Sequence, residues 1–205
     1  MKLPILSVLS IGLLFNSCAQ APQKEVRKRE VVQIQTQFEL QDFLKENKDL
    51  DAAVDKVFAT LDDTAIVAQL IMPAVGRLGQ EKTTIDQHIK DRIIGGVLML
   101  NGTKEGFTSW ITDFEKQNKT YGNLPFLYSA DAEPSLVNRK IAGSTLVKKA
   151  NEMQSIEEVR TCAQTISKDL NDIGINYNFS PVVDMSPNAT VGFRSFGAVP
   201  ANIIP

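Results

Sequence analysis

The sequence predicts an α/β fold in which about four parallel strands alternate with crossover helices. Three observations support this. Short apolar runs bounded by turn residues recur along the chain, amphipathic helical patterns separate them, and two of the runs end in an acid, Asp131 and Asp184. Alternating strands and helices form parallel sheets, and acids at the carboxyl ends of such strands are typical of a barrel's binding face. A closed eight-stranded barrel takes about 250 residues, so we expect the N-terminal half of a TIM-like (β/α)8 barrel.

A flavodoxin-like or Rossmann sheet is the structural alternative. Those sheets approach phosphate groups through glycine-rich turns that follow a strand. No Gly-x-Gly-x-x-Gly turn follows any predicted strand here, and the sequence contains no P-loop motif. The half barrel is therefore preferred, and no cofactor is expected.

Residues 1–17 are predicted to be a lipoprotein signal peptide. Lys2 precedes a mostly apolar run, 3–15, which is too short to span a bilayer, and Cys18 follows a small residue. This arrangement resembles a bacterial lipobox, with Cys18 as the lipid attachment residue; an ordinary secretion signal is the alternative. The polar residues 18–37 are then a linker. We expect the protein at the bacterial cell envelope, anchored to the membrane by lipid.

The elements after residue 37 are predicted from apolar periodicity and turn signals. At the start of the last helix, Ser155 and Glu158 fit a capping box, and Gly174 fits a left-handed cap at its end. The predicted helices are 38–59, a segment that Asp62-Asp63-Thr64 can cap, 84–94, 106–119 and 155–173. The predicted strands are 68–73, 95–101, 124–130 and 175–183.

Composition limits the partners that the chain can be expected to bind. Hydrophobic residues make up 43% of the 205 residues, which is enough for a core, and the net charge of −2 gives no electrostatic reason to expect nucleic acid.

Cys162 lies on the apolar stripe of the last helix, where a small buried hydrophobe is favoured over a nucleophile. His88, the one histidine in the sequence, lies on an amphipathic helix and is expected at the surface.

Candidate binding residues follow the third and fourth predicted strands. Asp131 comes one residue after the third strand, and Asp184 comes one residue after the fourth. A carboxylate in such a position must be hydrogen-bonded or face a solvated cleft, and adjacent sugar hydroxyls donate well to one carboxylate. Asp184 could instead hold Arg194 or cap its loop, and the two interpretations are compatible.

Arginines accompany both acids. A guanidinium offers five rigid donors, which suit the oxygen lone pairs of a polyhydroxylated ligand. Arg139 follows Asp131, although an ordinary surface arginine is the simpler interpretation of Arg139 alone. Arg194 lies between Phe193 and Phe196, which are predicted to pack against its stem or to supply an apolar platform.

Four segments together resemble the N-terminal domain of glycoside hydrolase family 3, particularly its bacterial β-N-acetylhexosaminidase branch. The resemblance covers about residues 60–200 and defines residues 38–205 as a partial domain of this kind. The segments are Gly95-Gly-Val-Leu-Met-Leu-Asn101, Leu124-Pro-Phe-Leu-Tyr-Ser-Ala-Asp-Ala-Glu133, Leu170-Asn-Asp-Ile-Gly-Ile-Asn-Tyr-Asn-Phe-Ser-Pro-Val-Val-Asp184 and Gly192-Phe-Arg-Ser-Phe-Gly197.

The resemblance implies a role for three residues. Asp131 would bind sugar hydroxyls, and Arg139 and Arg194 would contact the substrate, which would be an N-acetylglucosamine-containing glycan or muropeptide. The chain departs from the family pattern at Glu133-Pro-Ser135, where family members carry Glu-Gly-Gly. This departure makes the loop stiffer and leaves the finer substrate specificity open.

The resemblance also implies that no catalytic residue lies in this chain. Family members retain anomeric configuration, which takes a nucleophile and an acid on opposite sides of the scissile bond. The family's aspartate nucleophile and histidine acid/base come later than the segments matched here. The leading hypothesis is therefore the N-terminal fragment of a glycosidase, inactive by itself. The alternatives are a lipid-anchored protein that binds a glycan without cleaving it and a non-functional truncated product.

Overall fold

The computed structural model describes residues 38–184, 192–195 and 199–202. The predicted signal peptide and linker, with Cys18, lie outside the described residues, as do Phe196 and Gly197. Within the described residues, no helix is both long enough and apolar enough to cross a membrane.

A four-stranded parallel sheet forms the centre of the fold, which confirms the predicted strand direction. The strand order is β1-β2-β4-β6, and every pairing in this sheet is parallel. A second, two-stranded parallel sheet pairs β3 with β5. The strands are β1 Ala74–Val75, β2 Gly96–Met99, β3 Gly102–Thr103, β4 Leu127–Ala130, β5 Ile141–Ala142 and β6 Tyr177–Asn178.

Seven helices are described; the first three precede β1, and each of the other four connects one strand to the next. They are α1 Leu40–Phe43, α2 Lys48–Phe58, α3 Asp63–Ala68, α4 Lys82–Asp91, α5 Lys104–Tyr121, α6 Val137–Lys140 and α7 Ile156–Ile173. Short 3-10 turns cover Ala150–Glu152, Gly192–Arg194 and Pro200–Asn202. Four parallel strands with crossover helices are consistent with part of a (β/α)8 barrel.

The start of the domain differs from the prediction in two places. The single helix expected over 38–59 is two helices, because the Asn47 side chain accepts hydrogen bonds from the Asp49 and Leu50 amides and so begins α2 anew. The first strand is Ala74–Val75 rather than 68–73. Asp62 caps α3. This helix includes Ala68, the first residue of the run predicted as a strand, so the strand begins later in the chain.

The ends of α7 fit the prediction in part. Gly174 takes the expected left-handed conformation, with φ 94°. The Ser155 hydroxyl accepts from the Glu158 amide as a capping box requires. The return bond is absent, because the Glu158 carboxylate accepts from the Gln154 amide and pairs with Lys148 instead.

The core lies between one face of the sheet and the helices α4, α5 and α7. Cys162 is buried in it, as predicted, and burial raises the pKa of its thiol. The opposite face of the sheet is more open, since Leu127 and Tyr177 keep 48% and 46% of their surfaces exposed. The buried side chains of the core include Val75, Ile85, Ile89, Val97, Phe107, Phe114, Tyr128, Ile166 and Ile173.

Candidate functional site

The candidate site lies at the carboxyl ends of β4 and β6, where the loop that carries Asp131 begins. Asn178, the last residue of β6, accepts a hydrogen bond from the Ala132 amide at 3.0 Å and donates to the Ala132 carbonyl at 3.4 Å. Asn176 bonds in the same way to β4, accepting from the Tyr128 amide and donating to the Phe126 carbonyl. These side chains fix the loop after β4 against the neighbouring strand.

Asp131 is partly exposed and forms an ion pair with Lys140, at the end of α6. Sequence reasoning selected Arg139 as the basic residue here and missed Lys140. Adjacent residues on a helix point about 100° apart, so only one of the two can turn toward Asp131. The one available signal was the basic pair itself, and the sequence does not say which member faces the acid.

Glu133 is the direct partner of Arg194. The Arg194 Nε donates to Glu133 Oε1 at 2.6 Å, and Glu133 is only 1% exposed. This hydrogen bond raises the pKa of Arg194 above its ordinary value, and the nearby charges of Asp131 and Asp184 act in the same direction. Glu133 Oε2 is buried and has no hydrogen-bond partner among the described residues.

A direct pair between Asp184 and Arg194 was one of the alternatives left open for Asp184, and the structure does not form it. Asp184 contributes through its backbone, since its carbonyl accepts a hydrogen bond from the Ser195 hydroxyl. Its carboxylate acts on Arg194 only through space. Sequence spacing favoured Asp184 because it lies ten residues away, whereas Glu133 lies sixty-one residues away in the chain and reaches Arg194 only in the folded protein.

Ser135 holds the same turn from a second point. Its hydroxyl donates to the Phe193 carbonyl at 2.7 Å and accepts from the Ala150 amide at 3.0 Å. The Phe193 ring makes a cation–π contact with Lys149, whose Nζ lies 5.1 Å from the centre of the ring. The family's second glycine has thus been replaced by a residue that links three segments.

Arg139 lies apart from this cluster. It is exposed, and among the described residues its side chain makes no ion pair with Asp131. It lines a neighbouring cavity of about 460 Å³, which also contains Arg77, Asn101 and Trp110. The structure therefore brings Asp131 and Arg194 into one charged cluster, with Glu133 and Lys140, and places Arg139 beside it.

Comparison with known proteins relates the chain to enzymes that act on sugars. The model of the glycosyl hydrolase family 3 N terminal domain matches residues 60–204. The β-hexosaminidase LpqI of Mycobacterium tuberculosis is 34% identical over 89 residues, covering 40% of this chain and 23% of that protein. Its counterpart from Mycobacterium bovis is 33% identical over 89 residues, with the same coverage of each chain.

Two solved structures share the fold. A glycoside hydrolase family 3 β-N-acetylglucosaminidase from Paenibacillus sp. str. FPU-7 superposes with a TM-score of 0.60 at 24% identity, over 70% of this chain and 29% of that one. The β-glucoside phosphorylase BglX bound to 2FGlc gives a TM-score of 0.65 at 18% identity, over 78% of this chain and 29% of that one. The matched region spans about a quarter of the length of these relatives.

Proposed function

Because the chain belongs to glycosyl hydrolase family 3, through the N-terminal domain of that family, we propose that it is the substrate-binding part of a glycosidase. The substrate class is a β-linked N-acetylglucosaminide, within a glycan or a muropeptide. Two of its relatives, the β-hexosaminidase LpqI and the Paenibacillus β-N-acetylglucosaminidase, support this class. The observation that carries the proposal is the charged cluster around Asp131 and Arg194.

The cluster offers what a sugar needs. The partly exposed carboxylate of Asp131 accepts hydrogen bonds from two adjacent hydroxyls, while its ion pair with Lys140 orients it. Glu133 takes the Nε–H of Arg194 and leaves the terminal nitrogens of the guanidinium to donate to ligand oxygens. Asp131 and Arg194 thus supply an acceptor and a donor on the same side of the sugar.

Bond cleavage requires further groups. A retaining glycosidase needs one carboxylate free to attack the anomeric carbon and an acid within reach of the leaving oxygen. Glu133 is buried against Arg194 and Asp131 is paired with Lys140, so neither suits these roles. His88 lies in the last turn of α4, at the opposite end of the strands from the site. We therefore propose that the described residues of this chain hold the sugar and supply neither the nucleophile nor the acid/base.

A carbohydrate-binding protein without catalysis is the second candidate. The observation in its favour is that both carboxylates of the cluster form ion pairs, Asp131 with Lys140 and Glu133 with Arg194. The two functions share the same contacts with the sugar and differ only in the presence of the cleaving groups. A lipid anchor on Cys18 and a place at the cell envelope, on the periplasmic side or the outer surface, belong to the proposal in both cases.

Calorimetry with N-acetylglucosamine tests the binding step. The chain should bind the sugar, and Asp131→Asn should weaken binding at least tenfold, because the amide replaces an acceptor by a donor. Asp172→Asn is the matched control, since Asp172 is a lysine-paired aspartate on α7, outside the site. An absence of heat from a folded chain, or an equal effect of the two substitutions, would remove the sugar site.

A further inference from the structure

The central sheet ends on one side at β6, and this edge is open. β4 pairs with one side of β6, and among the described residues no strand pairs with the other side. An edge strand offers backbone donors and acceptors to any further strand that approaches it. The edge of β6 is therefore a surface on which another chain can add to the sheet.

The β1 edge, at the other end of the sheet, is closed by its own loop. The Pro73 and Val75 carbonyls accept hydrogen bonds from β2 and the residue after it. Because neighbouring carbonyls of a strand point to opposite sides, the Ala74 carbonyl points outward. It accepts from the Gln80 amide at 2.8 Å, and Gln80 forms an isolated bridge with Val75. A strand can therefore join the sheet at β6 but cannot join it at β1 without displacing this loop.

An apolar groove runs along the open edge. It has a volume of about 360 Å³ and lies between α7 and the stretch from β6 to Pro181. The helix contributes Val159, Ala163, Ile166 and Leu170 to its wall. None of the described residues that line the groove has a charged side chain. An apolar recess of this kind on a protein surface is typical of an interaction site.

Two aromatic side chains lie beside the groove, on the open face of the sheet. Tyr177 and Phe179 are two residues apart, so they share one face of the strand, and their rings meet edge to face with 5.0 Å between centres. They keep 46% and 47% of their surfaces exposed. Tyr177 also lines the groove, so apolar surface continues around the edge of β6. Exposed aromatic side chains of this kind are common anchors of protein interfaces.

The uncharged lining of the groove favours a second copy of this chain as its occupant. In a twofold interface the same surface meets itself, so a charged group near the axis would face its own copy and be repelled. The described lining brings no such group to the interface. The edge is also complementary to itself in shape, because it carries both a recess and the protruding rings of Tyr177 and Phe179.

The edge is large enough for a stable dimer. A standard interface buries about 800 Å² on each partner and takes roughly 20–30 residues a side. Fourteen residues line the groove, which is about half of that number. Phe179 and Val183, which are 47% and 61% exposed, extend the same surface beyond the groove.

We propose that two copies of the chain join through their β6 edges about a twofold axis. The two β6 strands pair antiparallel, which joins the two four-stranded sheets into one continuous sheet. Each groove receives the aromatic pair of the other copy. The blocked β1 edges end the joined sheet on both sides, so the assembly closes at a dimer.

The dimer goes beyond the proposed function and does not rest on it. The Asp131 cluster lies at the carboxyl ends of the strands, and antiparallel pairing places the two clusters at opposite ends of the joined sheet. Both clusters therefore stay open to a ligand. The dimer is detected by mass and the sugar site by binding, so either can fail without the other.

Sedimentation equilibrium of the full chain measures the assembly, in a density-matched detergent that accommodates the apolar run 3–15. We expect a monomer–dimer equilibrium with a Kd in the micromolar range or below, as interfaces of standard size give. A monomer at every concentration would overturn the dimer and leave another protein, or a further part of a longer chain, as the cover of this edge. A continuing series of larger oligomers would also overturn it, because a twofold contact closes at two copies.

Two substitutions on different elements locate the interface. Tyr177→Lys on β6 and Ser167→Arg on α7 each place a charge in the groove, where it would face its own copy, and both positions are exposed in the single chain. Each should raise the Kd about tenfold or more, with folding confirmed by circular dichroism. Phe43→Lys should leave the Kd unchanged and is the matched control, because Phe43 is an aromatic residue of α1 that is 76% exposed. Equal effects of Tyr177→Lys and Phe43→Lys, or an unchanged Kd in both edge variants, would overturn the β6 interface.

Discussion

Arg194 and Glu133 form the tightest long-range contact of the candidate site. The Arg194 Nε lies 2.6 Å from Glu133 Oε1, with Glu133 1% exposed and the Arg194 side chain 34% exposed. The pair joins the loop after β4 to the turn at 192–195, sixty-one residues later. The buried Glu133 carboxylate therefore holds Arg194 from the protein interior, and the rest of the guanidinium faces solvent.

Replacement of Glu133 by glutamine should destabilise the protein and loosen the arginine. Glutamine keeps the shape and one acceptor but removes the charge, so we expect a loss of about 1–3 kcal/mol in the free energy of unfolding. Urea unfolding measures this loss. Glu157→Gln is the matched control, because Glu157 pairs with Arg160 at 2.8 Å on the surface of α7, where such a pair contributes about 0–1 kcal/mol. Equal losses in the two variants would contradict a structural role for the buried pair.

Ser135 should matter through its two hydrogen bonds. Ser135→Ala removes the bonds to the Phe193 carbonyl and the Ala150 amide, and each is worth about 0.5–1.5 kcal/mol. We expect broadening of the Arg194 Nε–H signal in an NMR spectrum and severalfold weaker binding of N-acetylglucosamine. The control is Ser167→Ala, an exposed serine of α7. A sharp, unshifted Arg194 signal in Ser135→Ala would show that Glu133 alone positions the turn.

The 205-residue chain should not hydrolyse a nitrophenyl N-acetyl-β-glucosaminide. Asp131 and Glu133 are each paired with a basic side chain, and among the described residues no further carboxylate contacts either of them. Release of nitrophenol is measured against a family 3 β-N-acetylglucosaminidase as positive control, with folding of the chain confirmed separately. Turnover that disappears in Asp131→Asn would place a catalytic group in this cluster and overturn the proposal that the cluster only binds the sugar.

The sequence predicted the parallel sheet because each strand leaves a local signal. The predicted strands 124–130 and 175–183 are short apolar runs that contain the observed Leu127–Ala130 and Tyr177–Asn178, and the helix between them carries an apolar stripe. The fourth strand is much shorter than predicted. These features depend only on neighbouring residues. The half-barrel prediction followed from their order, from the length of the chain and from the absence of glycine-rich phosphate turns. The parallel pairings and the solved structures that share the fold agree with it.

The contacts of the site were less predictable because they depend on tertiary distance. The sequence left open whether Arg194 pairs with Asp184 and did not indicate Glu133, which is its partner in the structure. The sequence did not predict that Lys140, rather than its neighbour Arg139, pairs with Asp131. A helix of four residues is too short for its residue pattern to show which side chain faces the acid. Arg77 had no signal at all, because only the close approach of Gly76 to Leu100 brings it to the cavity.

Asp169 should make the stability of the protein depend on pH in the acid range. Burial alone would raise the pKa of this carboxyl, but hydrogen bonds from Lys104 and from the Thr145 amide outweigh burial and lower it below 3.8. The unfolded chain therefore binds a proton more readily than the folded protein. The stabilisation is complete above the ordinary pKa and is lost as pH falls through the lower, folded value.

The measurement is the free energy of unfolding of the protein and of Asp169→Asn between pH 6 and pH 2. The two proteins should differ most at the upper end and converge as the pH falls below about 4, the ordinary pKa of an aspartate. The Lys104 ammonium, whose pKa is raised chiefly by its hydrogen bond to Asp169, stays charged throughout this range, so the change belongs to the carboxyl. Asp55→Asn, on the exposed surface of α2, controls for the loss of one negative charge. A constant difference at every pH would mean that Asp169 stabilises the contact between α5 and α7 without its charge.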